Sequence, residues 1–127
     1  MTRLTRRASL AGLALFPLAR PALAQAPWAP TRPVRLLVGF PPGGGADTVA
    51  RRLAEALAPA LGQPVVVENR PGAGAQIAVD AVAKAPPDGT VIGLSPLGPL
   101  AVNPLLRPGQ MPYDAAKDFT VLAHVWD

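Results

Sequence analysis

Residues 34–61 read VRLLVGFPPGGGADTVARRLAEALAPAL: a short apolar run, five consecutive Pro and Gly residues, then an amphipathic run. Pro fixes φ, and Gly opens backbone conformations closed to other residues. A Pro-Pro-Gly-Gly-Gly turn therefore dictates where its N–H groups point and leaves the backbone bare to whatever lies against it. Before the turn, residues 34–40 are mostly apolar, β-prone and bounded by Pro33 and Pro41, which predicts a buried strand. After it, Val49, Leu53, Leu57 and Leu61 recur every four residues while Arg51, Arg52 and Glu55 point elsewhere, which predicts a helix over 47–61. Asp47 or Gly45 is the expected N-cap and Gly62 the stop, and Pro59 should bend the last turn.

The same alternation continues. Residues 65–69 predict a second strand, 76–85 a short helix ending before Pro86-Pro87, and Asp88-Gly89 a turn into a third strand at 91–94. Residues 97–106 form a broken helical stretch, and Phe119 to Trp126 reads as a fourth strand. Strands that alternate with helices argue for an α/β lobe with a mostly parallel sheet flanked by helices.

Residues 1–26 have the layout of a secretory signal peptide. Arg3, Arg6 and Arg7 open it, an apolar stretch too short to span a bilayer runs from Ala8 to Ala19, and Ala22-Leu23-Ala24 and Ala24-Gln25-Ala26 offer small-x-small cleavage sites. Arg6-Arg7 also has the twin-arginine form. Residues 27–33 read as an export-site linker, and 34–127 as the exported domain. The whole chain carries 12 Lys and Arg against 8 Asp and Glu, but four arginines lie in the leader. The exported part is therefore balanced, and the basic footprint of a nucleic-acid-binding protein is absent. With no Cys, the chain suits an oxidising compartment without disulfide or thiolate chemistry.

The Gly-rich turn falls at the carboxyl end of the first strand and the start of the first helix. In open α/β sheets ligands bind at that edge, and a helix N-terminus favours an anion. Residues 41–47 are thus the candidate anion loop, with a ligand-free tight turn as the alternative. Enzyme readings fit poorly. A nucleotide P-loop needs Lys after its last Gly, and Ala46-Asp47-Thr48 follows Gly45; the dinucleotide fingerprint fails at Thr48. Ser95 follows a strand, but the nucleophile elbow requires Gly where Leu97 stands. The only His, His124, sits in an apolar run as a packed or edge residue, and one His without Cys makes no metal cluster. No cofactor is expected, and no enzyme activity.

From about Pro33 onward the chain resembles the Bug family, periplasmic solute receptors of tripartite tricarboxylate transporters. The resemblance rests on Phe40-Pro41-Pro42-Gly43-Gly44-Gly45, Glu68-Asn69-Arg70-Pro71-Gly72-Ala73-Gly74 and Pro87-Asp88-Gly89 in that order, with "AVNPLL" and "MPYDAAKDFTVLAHV" after them. It implies a periplasmic-binding-protein-like lobe, and two such lobes closing over a small carboxylate. It also implies membrane components of the transporter as partners and a monomer when intact. The implied ligand-binding residues are Pro42, Gly43, Gly44, Gly45 and Asp47 after the first strand, Ala73 and Gly74 after the second, and Ser95 and Gly98 after the third. Arg70 is expected to close its loop as a partly solvated charge. The family pattern commonly continues Gly-Ala-Gly with Gly-Asn-Ile-Gly, where this chain has Ala75-Gln76-Ile77-Ala78. Its third turn is usually rich in Ser, Thr and Gly, where this chain has Ser95-Pro96-Leu97-Gly98-Pro99-Leu100; the swap removes donors and points to a carboxylate with an apolar body. The second lobe is not found in these residues. The expectation is therefore the N-terminal part of a receptor, the alternatives being a non-binding remnant or an α/β hydrolase- or nucleotide-type enzyme.

Overall fold

The computed structural model describes residues 28–125. The expected leader lies outside the described residues, save that the linker's residues 28–33 are seen. Three strands, β1 (Val34–Val38), β2 (Val65–Asn69) and β3 (Val91–Leu94), alternate with helices α1 (Gly45–Leu61) and α2 (Gln76–Ala83). A π-helical turn, Gly98–Val102, leads into the short α3, Asn103–Leu106. The sheet is wholly parallel with order β2-β1-β3.

This order explains the sequence of β1. The chain moves to one side of β1 through α1, then crosses back to the other side through α2. Parallel crossovers are right-handed, so the two helices cover opposite faces of the sheet. A central strand covered on both faces reads as a continuous apolar run, and Val34, Leu36, Leu37 and Val38 are all buried. On the α1 face Leu36, Val38 and Leu94 pack with Ala50, and Ala46, Val49, Leu53, Val65, Val67 and Ile92 surround them. On the other face Gly93, in register with Leu37, leaves room for Val82 of α2: a Cβ at Gly93 would lie 2.9 Å from that side chain. The apolar residues of α1 that are fully buried are Ala50 and Ala54, the small residues beside the expected Val-Leu stripe, while Leu57 and Leu61 are only half-buried.

Several expectations need correction. β1 ends at Val38, because Gly39 and Phe40 already turn toward the loop. α1 begins at Gly45 with Gly44 as its N-cap, so Asp47 sits inside the first turn; the helix then runs through Pro59 to Leu61. α2 ends at Ala83 rather than 85. Residues 119–125 form no strand. They run past the sheet without pairing to it, and Val121 and Leu122 are largely exposed.

Residues 28–33 lie against the turn that enters β3. The Trp28 indole Nε1–H donates to the Asp88 carbonyl at 3.1 Å. Arg32 donates to the Asp88 carboxylate at 2.7 Å and to the Thr90 hydroxyl at 2.8 Å. Across the sheet, Arg35 of β1 forms a two-point ion pair with Glu68 of β2.

Candidate functional site

Val38 pairs with both Asn69 and Leu94, so all three strands end at one level. The loops that follow them, 39–44, 70–75 and 95–97, therefore gather at a single edge. With strand order 2-1-3 the topological switch lies between β1 and β3, where open α/β sheets form a ligand crevice.

In the first loop, Pro42, Gly43, Gly44 and Gly45 are exposed. Only Gly43 needs a glycine for its backbone, with φ at 84°. Gly44 is extended, with φ −83° and ψ 175°, a conformation open to any residue. Its bareness therefore concerns approach to the backbone rather than the turn itself.

Asp47 is the centre of this loop, and only 3% of it is exposed. Its carboxylate accepts the Gly43 N–H at 2.9 Å. It also accepts Arg51 Nε at 2.9 Å, Arg51 Nη2 at 3.1 Å and Asn69 Nδ2 at 2.9 Å. The Asn69 amide reaches the Phe40 carbonyl as well, at 3.0 Å. These donors, Arg51 first and then Gly43 and Asn69, hold the Asp47 carboxyl far below the usual carboxylate range. Gly43, expected among the ligand donors, thus spends its N–H on Asp47. Asp47 is likewise committed inside the protein. No side chain caps α1, so the N–H groups of Gly45 and Ala46 stand in its first turn beyond the reach of any carbonyl of the helix, while Gly44 closes a turn on Pro41.

The second loop is unusual. Gly72, Ala73, Gly74 and Ala75 all have positive φ, at 136°, 47°, 62° and 75°. Ala73–Ala75 therefore form one tight turn in left-handed backbone. An alanine there costs about 1–2 kcal/mol relative to right-handed backbone. The turn packs on the β1 loop, since Gly39 lies directly against Ala75, and it touches the π-helical turn after β3. Ala73 and Gly74 are exposed. Arg70 closes the loop as expected: its N–H donates to the Val38 carbonyl at 2.8 Å and its guanidinium lies 3.4 Å from Glu68.

In the third loop the Ser95 hydroxyl donates to the Pro96 carbonyl at 3.0 Å, Gly98 is half-buried and Leu97 is 71% exposed. Tyr113 anchors this segment, its buried hydroxyl donating to the Pro99 carbonyl at 2.8 Å. An open cavity of about 220 Å³ lies beside the second loop, lined by Ala73, Gln76, Ile77, Asp80 and Pro112. It shares only Ala73 with the expected site. Its walls are α2 and Pro112 rather than the Gly-rich loop, so the convergence of the three loops locates the candidate site better than this hollow does.

Sequence reasoning placed Asp47 in the loop but missed Arg51 and Asn69. The spacing of Arg51, four residues after Asp47 on a helix, was a usable signal. Asn69 offered none, because its partners lie on another element.

The family described as "Tripartite tricarboxylate transporter family receptor" matches residues 49–126. The chain belongs to that family. It is 48% identical over 99 residues to the protein BugT of Bordetella pertussis, an alignment that covers 77% of this chain and 30% of BugT. It is 41% identical to a Pseudomonas sp. protein encoded in the tcbD-tcbE intergenic region, over 94% of this chain and 35% of that one. Among solved structures, MatC from Rhodopseudomonas palustris with bound malate superposes with a TM-score of 0.65 at 42% identity, covering 72% of this chain and 31% of MatC. An R. palustris protein with adipate gives 0.62 at 41% identity, covering 68% and 29%. The chain thus spans about a third of the length of the relatives it matches.

Proposed function

We propose that this chain forms the strand-end wall of a periplasmic receptor that binds a small carboxylate and delivers it to the membrane components of a tripartite tricarboxylate transporter. In this reading it is a binding protein rather than an enzyme. Residues 1–26 act as its export leader, and the partner wall is a second lobe such as its longer relatives have room for. The observation that carries the reading is the exposed first turn of α1 at the switch between β1 and β3. There Gly45 and Ala46 offer uncapped N–H groups, with no side chain on Gly44 or Gly45 to block approach. The presence of malate in MatC and of adipate in its R. palustris counterpart supports a carboxylate as the ligand class.

Pro42 and Gly43 shape that edge, Ala73 and Gly74 border it from the second loop, and Ser95 and Gly98 from the third. With the Ser95 hydroxyl turned to Pro96 and Leu97 exposed, the third loop offers apolar surface, which favours a carboxylate with an apolar body. Calorimetric titration with malate, adipate and citrate tests this. Gly44→Val should abolish binding while leaving the fold intact, since its extended backbone accepts Val and only the approach is blocked. Unchanged affinity would refute the loop as the site. The second reading, an interaction domain or remnant that binds no ligand, draws on the exposed Leu97, Leu105, Leu106, Val121 and Leu122. Wild-type protein silent to all three carboxylates would favour it.

A further inference from the structure

The buried carboxylate of Asp47 poses a physical problem at a proposed anion site. A negative charge in the first turn of α1 stabilises the helix, but it also repels an anion docking at the same turn. The geometry shows how the conflict is resolved. Oδ2 accepts Gly43 N–H and Arg51 Nε, and Oδ1 accepts Arg51 Nη2 and Asn69 Nδ2. Four donors fill the acceptor capacity of a carboxylate. Arg51 supplies a full positive charge through a two-point fork on the helix surface, about half exposed, while Asn69 ties the end of β2 to both Asp47 and Phe40.

Resting on the carboxylate-receptor reading, we infer that Asp47, Arg51 and Asn69 are positioning residues that divide two tasks. Asp47 and Asn69 set the Gly-rich loop by withdrawing the Gly43 N–H from the ligand and pinning the Phe40 carbonyl. Arg51 cancels the Asp47 charge, so that the uncapped N–H groups of Gly45 and Ala46 face an anion without repulsion. Affinity for anionic ligands therefore depends on a cation that need not touch the ligand.

The two tasks separate experimentally. In Arg51→Gln the Gly43 and Asn69 bonds to Asp47 remain, so the loop keeps its shape while the charge is unmasked. Affinity for malate should fall about tenfold at low ionic strength, and several-fold for a monocarboxylate such as butyrate. Added salt should erase most of that difference. Arg51→Lys, which restores the charge without the fork, should recover most of the affinity. Asp47→Asn and Asn69→Leu should act otherwise. Amide exchange at Gly43 should quicken by an order of magnitude or more without ligand, and the loss of affinity should not respond to salt.

Equal losses for malate and butyrate in Arg51→Gln, or no rescue by Lys, would overturn the charge-cancelling role. Unchanged Gly43 exchange in Asp47→Asn would overturn the loop-setting role. Wild-type protein that binds no carboxylate would sink the receptor reading and the Arg51 role with it, whereas the exchange measurement would still judge Asp47 and Asn69.

Discussion

Replacing Gly39 with Ala is the sharpest single test of how the strand-end loops are packed. A Cβ built at Gly39 would lie 2.2 Å from the Ala75 Cβ, 2.6 Å from its Cα and 3.2 Å from its carbonyl oxygen. Carbon atoms in contact sit about 3.5–4.0 Å apart, so the overlap exceeds an ångström. Two of the three atoms are backbone, and Ala75 is only 1% exposed, so no rotamer change can relieve it. The loops must part, which loosens both the 73–75 turn and the start of the Gly-rich loop. Overpacking costs about 1–3 kcal/mol, and the upper end applies where backbone has to move. For a domain of this size that is a fall in Tm of roughly 10–20 °C. Gly44→Ala is the matched control: its Cβ would meet only the Pro41 carbonyl oxygen, at 3.7 Å, in backbone that suits alanine. As the N-cap of α1 it should lose no more than about 1 kcal/mol, since Ala caps less well than Gly while also lowering the entropy of the unfolded chain. Ala75→Gly should relieve left-handed strain and remove the nearest clashing atom, so Gly39→Ala should cost about 1 kcal/mol less in that background. Urea unfolding followed by circular dichroism reads all four proteins. A Gly39→Ala midpoint within error of Gly44→Ala would refute the packing argument.

Two further outcomes can be measured the same way. Thr90, through its hydroxyl and its N–H, and then Arg32 hold the Asp88 carboxyl down at about 2 from an ordinary value near 3.8. A depressed folded pKa stabilises above the unfolded value and loses that contribution as pH falls through the folded one. The urea midpoint should therefore drop between about pH 4 and pH 2, and Asp88→Asn should flatten that part of the profile while lowering stability at pH 7. Tyr113→Phe leaves the Pro99 carbonyl without its buried donor and should cost about 1 kcal/mol, while the edge-on packing of the ring against Phe119 persists; a loss above about 3 kcal/mol would mean the ring had moved as well.

Much of the sheet was legible because short apolar runs between Pro and Gly leave few choices. Residues 65–69 and 91–94 are strands with the expected bounds, and their parallel pairing follows from the helices between them. Three features that stayed illegible share a cause: each depended on a partner distant in sequence. Residues 119–125 have the propensity of a strand, yet a strand exists only where another edge accepts it. The buried state of Asp47 depends on Asn69, twenty-two residues away on β2. The left-handed turn at 73–75 contains two alanines, which ordinarily avoid that backbone, so nothing local announced it. What holds it is the contact of Ala75 with Gly39.

The attachment of Trp28 and Arg32 to the turn before β3 also fixes where the polypeptide can be tethered. Asp88 and Thr90 stand at the amino ends of the strands, and the Gly-rich loop stands at the carboxyl ends. Five strand residues at ~3.3 Å each separate the two edges by about 16 Å. An affinity tag or a linker to a sensor surface joined directly to Trp28 in place of the residues before it is fastened on the far side from the loop. Immobilisation through the amino terminus should therefore leave that loop facing solution, whereas a tag placed after residue 125 carries no such assurance.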